Sequence, residues 1–430
     1  MQVISTKPVA ARNTYDVHHH PEHKIAANGA YVRQCSFCAW GQAALNDVRK
    51  IPDERVIAEI DWFGRHKIFY IDGCDANFGL LKRDVELAKH LAATKAKYGY
   101  PQTFRTSFGK NSNETIWEIA NILSDAKMLK SVTLAMQSMD DDVLVNIKRK
   151  NIKFSKFGDL LKRYEDAGIP TYTELILGLP GETLDTFLDG VERNLDAGQH
   201  SGLFIYNNLM LENTEQRKPE YVREHGLRAV TMQAMLTHGT PDESVVRERQ
   251  EIIVETAAMP HADWKRAYLH SKAVEIFHAQ GLLQRVAVGL HNDNGVRYRD
   301  FYGALLDWCL ANEGTVAGRE VCGIRDLLDR ALSGGPWDCV DPRLGEISWP
   351  PEEFAFARIC CDLRRFYDEI GEFFSMPIFA SVSGDRLRSL LVEQREGVVG
   401  PEPGLEAAWA RDVVWYGRKG AGRTLVKRAG

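Results

Sequence analysis

Between residues 24 and 206, short apolar runs alternate with amphipathic helical segments, and this alternation constrains the fold more than any other feature. Extended runs each followed by a helix-period segment predict parallel strands joined by right-handed crossovers. Strands are expected at Lys24–Asn28, Ile68–Ile71, Thr103–Ser107, Ser131–Gln137, Thr171–Leu177 and Gly202–Tyr206. Helices are expected from Pro52-Asp53-Glu54, where proline suits the first turn and the acids meet its positive end, and over Asp84–Lys97, Glu114–Leu123, Asp141–Ile147, Phe157–Ala167 and Leu184–Ala197. The fold expected is α/β: a partial (βα)6, TIM-like barrel followed by a mainly helical C-terminal region. In such barrels chemistry collects at the C-terminal ends of strands. Those ends carry Asp72, Ser107, Gln137 and the Gly178 loop.

Beyond about residue 245 the alternation stops. Val246–Ala257, Lys272–Ala279, Phe301–Asn312 and Glu353–Glu372 read as helices, interrupted by a Gly/Pro-rich stretch from Ser333 to Pro351. The domains expected are an N-terminal extension (1–23), a core barrel (24–235), a helical region (245–396) and a basic tail (405–430). A net charge of −5 gives no general preference for nucleic acid. In the last twenty residues, Arg411, Arg418, Lys419, Arg423, Lys427 and Arg428 oppose only Asp412, so a weak nucleic-acid contact there competes with a plain solvated end. No run of eighteen apolar residues and no signal-peptide core occurs, so no membrane partner is expected. Eight cysteines in 430 residues are too sparse for a disulfide scaffold and point to a reducing cytoplasm.

Three constellations carry chemistry. Cys35-Ser36-Phe37-Cys38-Ala39-Trp40-Gly41 follows the first expected strand, and two thiolates two residues apart can chelate one metal centre. Zinc sites and redox dithiols use the same spacing, but no second C-x2-C accompanies this one. The second is Glu174 to Thr183, in which Gly178 and Gly181 bracket a tight turn around Leu179 and Pro180 before Glu182. The third is the set of polar strand ends: Asp72, Asp75 and Asn77; Arg105 and Ser107 with Lys110-Asn111; Gln137-Ser138; and Tyr206. Each of these has a structural alternative. A Gly-Leu-Pro-Gly turn also serves simply to join strand to helix, and strand-end amides and acids also serve as caps.

Cys35–Gly41, Asp75-Ala76-Asn77-Phe78-Gly79, Arg83-Asp84, Leu134–Ser138, Glu174–Thr183 and Gly198-Gln199-His200 together resemble the radical SAM superfamily. The likeness covers about residues 24 to 225 and is strongest to the branch often fused to a cobalamin-binding domain. The resemblance implies a [4Fe–4S] cluster that binds S-adenosylmethionine and cleaves it reductively to a 5′-deoxyadenosyl radical, which then modifies a substrate. It assigns Cys35 and Cys38 to the cluster. It places Trp40, Gln137, Ser138, Gly178, Leu179, Pro180, Gly181 and Glu182 around S-adenosylmethionine. Asp72, Asp75, Asn77, Arg105 and Tyr206 would face the substrate, a small molecule or a nucleotide, and a flavodoxin- or ferredoxin-like reductase would supply the electron. No catalytic residue is assigned.

This chain departs from the pattern in two places. Tyr31 stands where the family's first cluster cysteine is expected, four residues before Cys35. A phenol is bulkier than a thiol and titrates near about 10. His18, His19, His20, His23 and Cys74 are alternative donors, and a degenerate barrel that binds without catalysing is the rival reading. Only about 24 residues precede the first expected strand, and Asp16-Val17-His18 does not continue into a cobalamin lower-ligand motif, so cobalamin is not expected.

Overall fold

The computed structural model describes residues 50–109, 114–200, 202–212, 214–242 and 244–415. Their contacts divide them into two units, 50–130 and 131–415. The expected first strand, the cysteine loop with Tyr31 and Trp40, the upstream histidines, Lys110-Asn111 and all of the tail beyond 415 lie outside the described residues.

In the first unit, α1 (Asp53–Arg65), β1 (Tyr70–Phe78), α2 (Arg83–Tyr98), β2 (Thr103–Phe108) and α3 (Glu114–Asp125) alternate as expected. Pro52 precedes α1, and Asp53 and Glu54 occupy its first turn. β1 and β2 are parallel, with Asp72 opposite Arg105. In α3, Ile116, Ile119, Ala120 and Leu123 recur at helical spacing and are buried. β1 runs seven residues past the expected end at Ile71. Pairing with β2, across a register shift between Gly73 and Phe78, holds this polar stretch extended against its weak strand propensity.

The second unit begins with β3 (Val132–Thr133), α4 (Asp141–Asn146), α5 (Phe154–Asp166), β4 (Thr171–Leu177), α6 (Leu184–Asp196) and β5 (Leu203–Asn207). The three strands are parallel in the order β3-β4-β5. β3 is shorter than the expected Ser131–Gln137 because side chains take its carbonyls. Arg149 donates to Ala135 O, and Asn151 Nδ2 donates to Met136 O at 2.6 Å and Ser138 O at 2.9 Å. Pairing resumes only at Gln137, opposite Leu175.

α7 (Pro219–His225), β6 (Arg228–Gln233) and β7 (Arg249–Glu255) follow. β7 corrects the helix expected over Val246–Ala257. Ile252, Ile253 and Val254 are β-branched and buried, and they pair antiparallel with β6. The 235–245 stretch therefore lies in the connection between two paired strands. The remainder is helical, as expected: α8 (His261–Ala273), α9 (Gln284–Asn294), α10 (Tyr298–Ala311), α11 (Val316–Leu332), α12 (Pro351–Cys361), α13 (Leu363–Glu369), α14 (Gly384–Glu396) and α15 (Glu406–Trp409). Phe301, Phe366, Phe373 and Phe379 centre its core.

This helical region belongs to the same unit as β3–β5, and charged groups hold the two together. Arg297 Nε donates to both oxygens of buried Glu192 on α6, at 3.2 and 3.1 Å, and Arg299 reaches Asp189 at 2.8 Å. α8 continues into a π-helical turn, Val274–Ala279, that closes the outer edge of β5. There Glu275 Oε1 accepts the Ile205 N–H at 2.9 Å, satisfying a donor that an edge strand leaves unpaired. Lys272 Nζ lies 2.7 Å from Glu275 and 2.8 Å from Glu352 at the start of α12. Cys309, Cys322, Cys339 and Cys360 are buried, and burial pushes the Cys339 thiol up to about 12, so they act as packing. Among the described residues, no helix is long and apolar enough to cross a membrane.

Candidate functional site

Strand alternation divides the β3–β5 sheet into two faces. Thr173, Leu175, Leu177, Leu203 and Ile205 are buried on one of them. On the other, Tyr172, Glu174 and Ile176 of β4 stand beside Phe204 and Tyr206 of β5, which are 41% and 52% exposed. Parallel sheets usually bury both faces, so an open aromatic face is a feature that needs a purpose. The rings are ordered: Tyr172 meets Phe204 edge-on at 5.7 Å, and Phe204 stacks on Tyr206 at 6.4 Å.

The Gly178–Glu182 turn leaves the C-terminal end of β4. Gly178 has φ +90, and a Cβ there would lie 3.1 Å from Ile253 O and 3.3 Å from Trp264 Nε1, so only glycine fits. Gly181 has φ +89, and its Cβ would meet Asn146 Nδ2 at 2.3 Å. Two amides from distant segments latch the turn. Asn208 Nδ2 donates to Gly178 O and Asn146 Nδ2 to Pro180 O, both at 3.0 Å. Asn208 is itself held by buried Gln216, and Tyr221 Oη donates to Asn146 O. Leu179 is fully buried against Val143, Leu144 and Ile147. Thr183 and Thr186 then form a reciprocal cap that starts α6.

Glu182 is 2% exposed. Its Oε1 accepts the Ser138 hydroxyl at 2.7 Å, while Oε2 is buried with no hydrogen-bond partner among the described residues. Burial raises its pKa to about 8; the Ser138 hydrogen bond opposes the rise and the Asp140 charge adds to it. At neutral pH this carboxyl is mostly protonated. Structure therefore joins Ser138 to Glu182 directly, a pairing across 44 residues that the separate motifs did not announce.

Gln137 stands four residues past β3, at the isolated bridge to Leu175, with φ +66, the left-handed region that a non-glycine residue rarely adopts. Its N–H donates to Glu174 O and its carbonyl accepts from Ile176 N, both at 2.8 Å, and this ladder holds the strained backbone. Gln137→Val is expected to lower stability by about 1–2 kcal/mol, whereas Gln137→Gly should not, and urea midpoints would check both.

Of the residues expected to face a substrate, four lie in the first unit and Tyr206 lies in the second. Asp72 and Arg105 are exposed neighbours on paired strands. Asp75 Oδ1 accepts the Asn77 N–H at 2.9 Å, and burial raises its pKa to about 6. Cys74 is exposed on β1. Asn146, Asn208, Gln216 and Trp264 were not singled out in the sequence, since lone amides and a tryptophan far from the motif carry no local signal. Tyr31, Cys35, Cys38 and Trp40 lie outside the described residues. Among the described residues, no three His, Cys, Asp or Glu side chains converge as a metal site.

Residues 32–193 match the family described as the radical SAM superfamily. The chain is 35% identical over 412 residues to the cobalamin-dependent radical SAM methyltransferase TokK of Streptomyces tokunonensis, covering 92% of this chain and 60% of that protein. It is also 35% identical over 353 residues to 2-(S-pantetheinyl)-carbapenam-3-carboxylate methyltransferase of Streptantibioticus cattleyicolor, covering 79% and 52%. The chain thus spans between half and two-thirds of the length of these curated relatives. A solved structure of the methyltransferase TsrM from Kitasatospora setae aligns with TM-score 0.40 and 16% identity, covering 57% of this chain and 50% of that one. The name of the first relative bears on one expectation: a cobalamin-dependent relative leaves the exclusion of cobalamin unconfirmed. Residues 32–193 thus carry a radical SAM superfamily domain, and the chain as a whole is similar to a cobalamin-dependent radical SAM methyltransferase.

Proposed function

We propose that the protein is a cytoplasmic radical SAM enzyme that methylates a small molecule, with cobalamin as a second cofactor. The carrying observation is the 35% identity to a cobalamin-dependent methyltransferase over 92% of the chain, helical region included. When bound, a [4Fe–4S] cluster with S-adenosylmethionine supplies a 5′-deoxyadenosyl radical, and cobalamin supplies a methyl carrier. Cys35 and Cys38 offer the thiolates that such a cluster takes, and Tyr31 offers an oxygen at the third position.

The geometry supports S-adenosylmethionine at the second unit's sheet. Tyr172, Phe204 and Tyr206 offer a flat surface suited to an adenine ring or an apolar substrate. The Gln137 carboxamide, which makes no hydrogen bond among the described residues, is suited to a ribose hydroxyl. Asn208 and Asn146 keep the Gly178–Glu182 turn rigid in advance of binding. Asp72, Asp75, Asn77 and Arg105 stay as substrate-facing candidates.

Anaerobic reconstitution with iron, sulfide and hydroxocobalamin tests this reading. With a one-electron reductant, both 5′-deoxyadenosine and S-adenosylhomocysteine should form. Cys35→Ala should abolish the 5′-deoxyadenosine and lower the bound iron. A wild-type chain that takes up no cluster under conditions where Tyr31→Cys does would instead establish the degenerate reading. Formation of 5′-deoxyadenosine without S-adenosylhomocysteine would remove the methyl-transfer part.

A further inference from the structure

The connection between α4 and α5 carries four cations in six residues: Lys148, Arg149, Lys150 and Lys153. Lys148 is paired with Glu215. Lys150 and Lys153 make no ion pair among the described residues. They line a cavity of about 430 Å³, together with Arg149 and with Arg193 from α6. Its inner wall is Met136, Ser138 and Met139, in the segment between β3 and α4. These three are buried.

Two features make it more than a set of solvated lysines. The first is charge. Arg149, Lys150, Lys153 and Arg193 are opposed by Asp141 as the one acid in the lining, four positive charges against one negative, a net of +3. Neutral acceptors fix the guanidinium groups in place: Arg149 Nε donates to Asn151 Oδ1 at 2.7 Å, and Arg193 Nη1 to Met139 O at 2.6 Å. Converging like charges repel, and an anion bound among them is stabilised by charge-assisted hydrogen bonds. The second is apolar surface. Val145 is 73% exposed and Phe154 38% exposed at this cavity, with the Arg193 guanidinium 4.6 Å from the Phe154 ring centre. A purely ionic site has no use for such a rim.

We infer that this cavity is a second ligand site, for a small molecule that joins a dianionic phosphate ester to an apolar body. Its volume lies at the small end of the range for such pockets, about 300–1,000 Å³. The inference rests on the cationic lining and its apolar rim, not on the methyltransferase reading, although the cavity shares Ser138 with the residues placed around S-adenosylmethionine.

Calorimetric titration of the full chain with n-hexyl phosphate tests it, with inorganic phosphate and n-hexanol as the partial ligands. Hexyl phosphate should saturate one site per chain with a Kd below about 1 mM, and each partial ligand should bind at least tenfold more weakly, about 1.4 kcal/mol. The exposed pair Lys150→Gln/Lys153→Gln should weaken hexyl phosphate about tenfold and leave the fold intact, since neither side chain is buried. Saturating S-adenosylmethionine should not displace it. Equal affinity for the double variant, inorganic phosphate binding as tightly as the ester, displacement by S-adenosylmethionine, or no saturable binding would each overturn the inference.

Discussion

Lys272→Met is expected to destabilise the second unit by about 3–5 kcal/mol, the usual cost of leaving a buried charge without its partner. Lys272 is only 8% exposed and bridges Glu275, 5% exposed, and Glu352, 19% exposed. Burial alone would push the lysine pKa down, yet the two carboxylates hold it well above its ordinary value. Without the ammonium, two acids face each other in a site that already raises the Glu275 pKa to about 7, chiefly by desolvation. The damage would reach the sheet, because Glu275 also receives the Ile205 N–H at the edge of β5. Urea denaturation followed by circular dichroism checks this. The triple variant Lys272→Met/Glu275→Gln/Glu352→Gln should recover most of the loss, since an amide oxygen at 275 still accepts the Ile205 N–H. A single variant within about 0.5 kcal/mol of wild type, the range of an ordinary surface substitution, would show that the triad does not hold this edge.

Glu182→Gln is expected to stabilise the protein at alkaline pH and to do little near pH 5. The glutamate titrates near 4.5 in the unfolded chain and near 8 in the folded one, so folding tightens its hold on the proton. The stability linked to that proton is fully present below pH 4.5 and is lost as pH rises toward 8. The total is on the order of 5 kcal/mol for a shift of this size. Glutamine keeps an oxygen for the Ser138 hydroxyl and cannot ionise, so the variant's melting temperature should overtake wild type progressively between pH 5 and pH 9. Parallel melting curves across that range would mean that Glu182 finds a compensating partner when charged.

The βα alternation was legible because period-2 and period-3.6 patterns are local properties of the chain. Thr171–Leu177 and Leu184–Asp196 appear almost residue for residue where apolar spacing puts them. The strand Arg249–Glu255 was misread as helix, because Ile252-Ile253-Val254 acquires a period only from its partner Arg228–Gln233. The Gly178–Gly181 turn could be seen in the residues; the two amides that latch it, Asn208 and Asn146, could not.

By itself the sequence determined the element order, the glycine-bracketed turn and the thiolate pair, since backbone conformation and hydrophobic period are set by near neighbours. The tertiary structure alone decided which polar groups meet across long separations. Ser138 lies 44 residues from Glu182 and Glu275 lies 70 residues from Ile205, and burial turns those meetings into a neutral carboxyl and a closed strand edge. Desolvation depends on what surrounds a side chain in three dimensions, and no spacing along the chain encodes it.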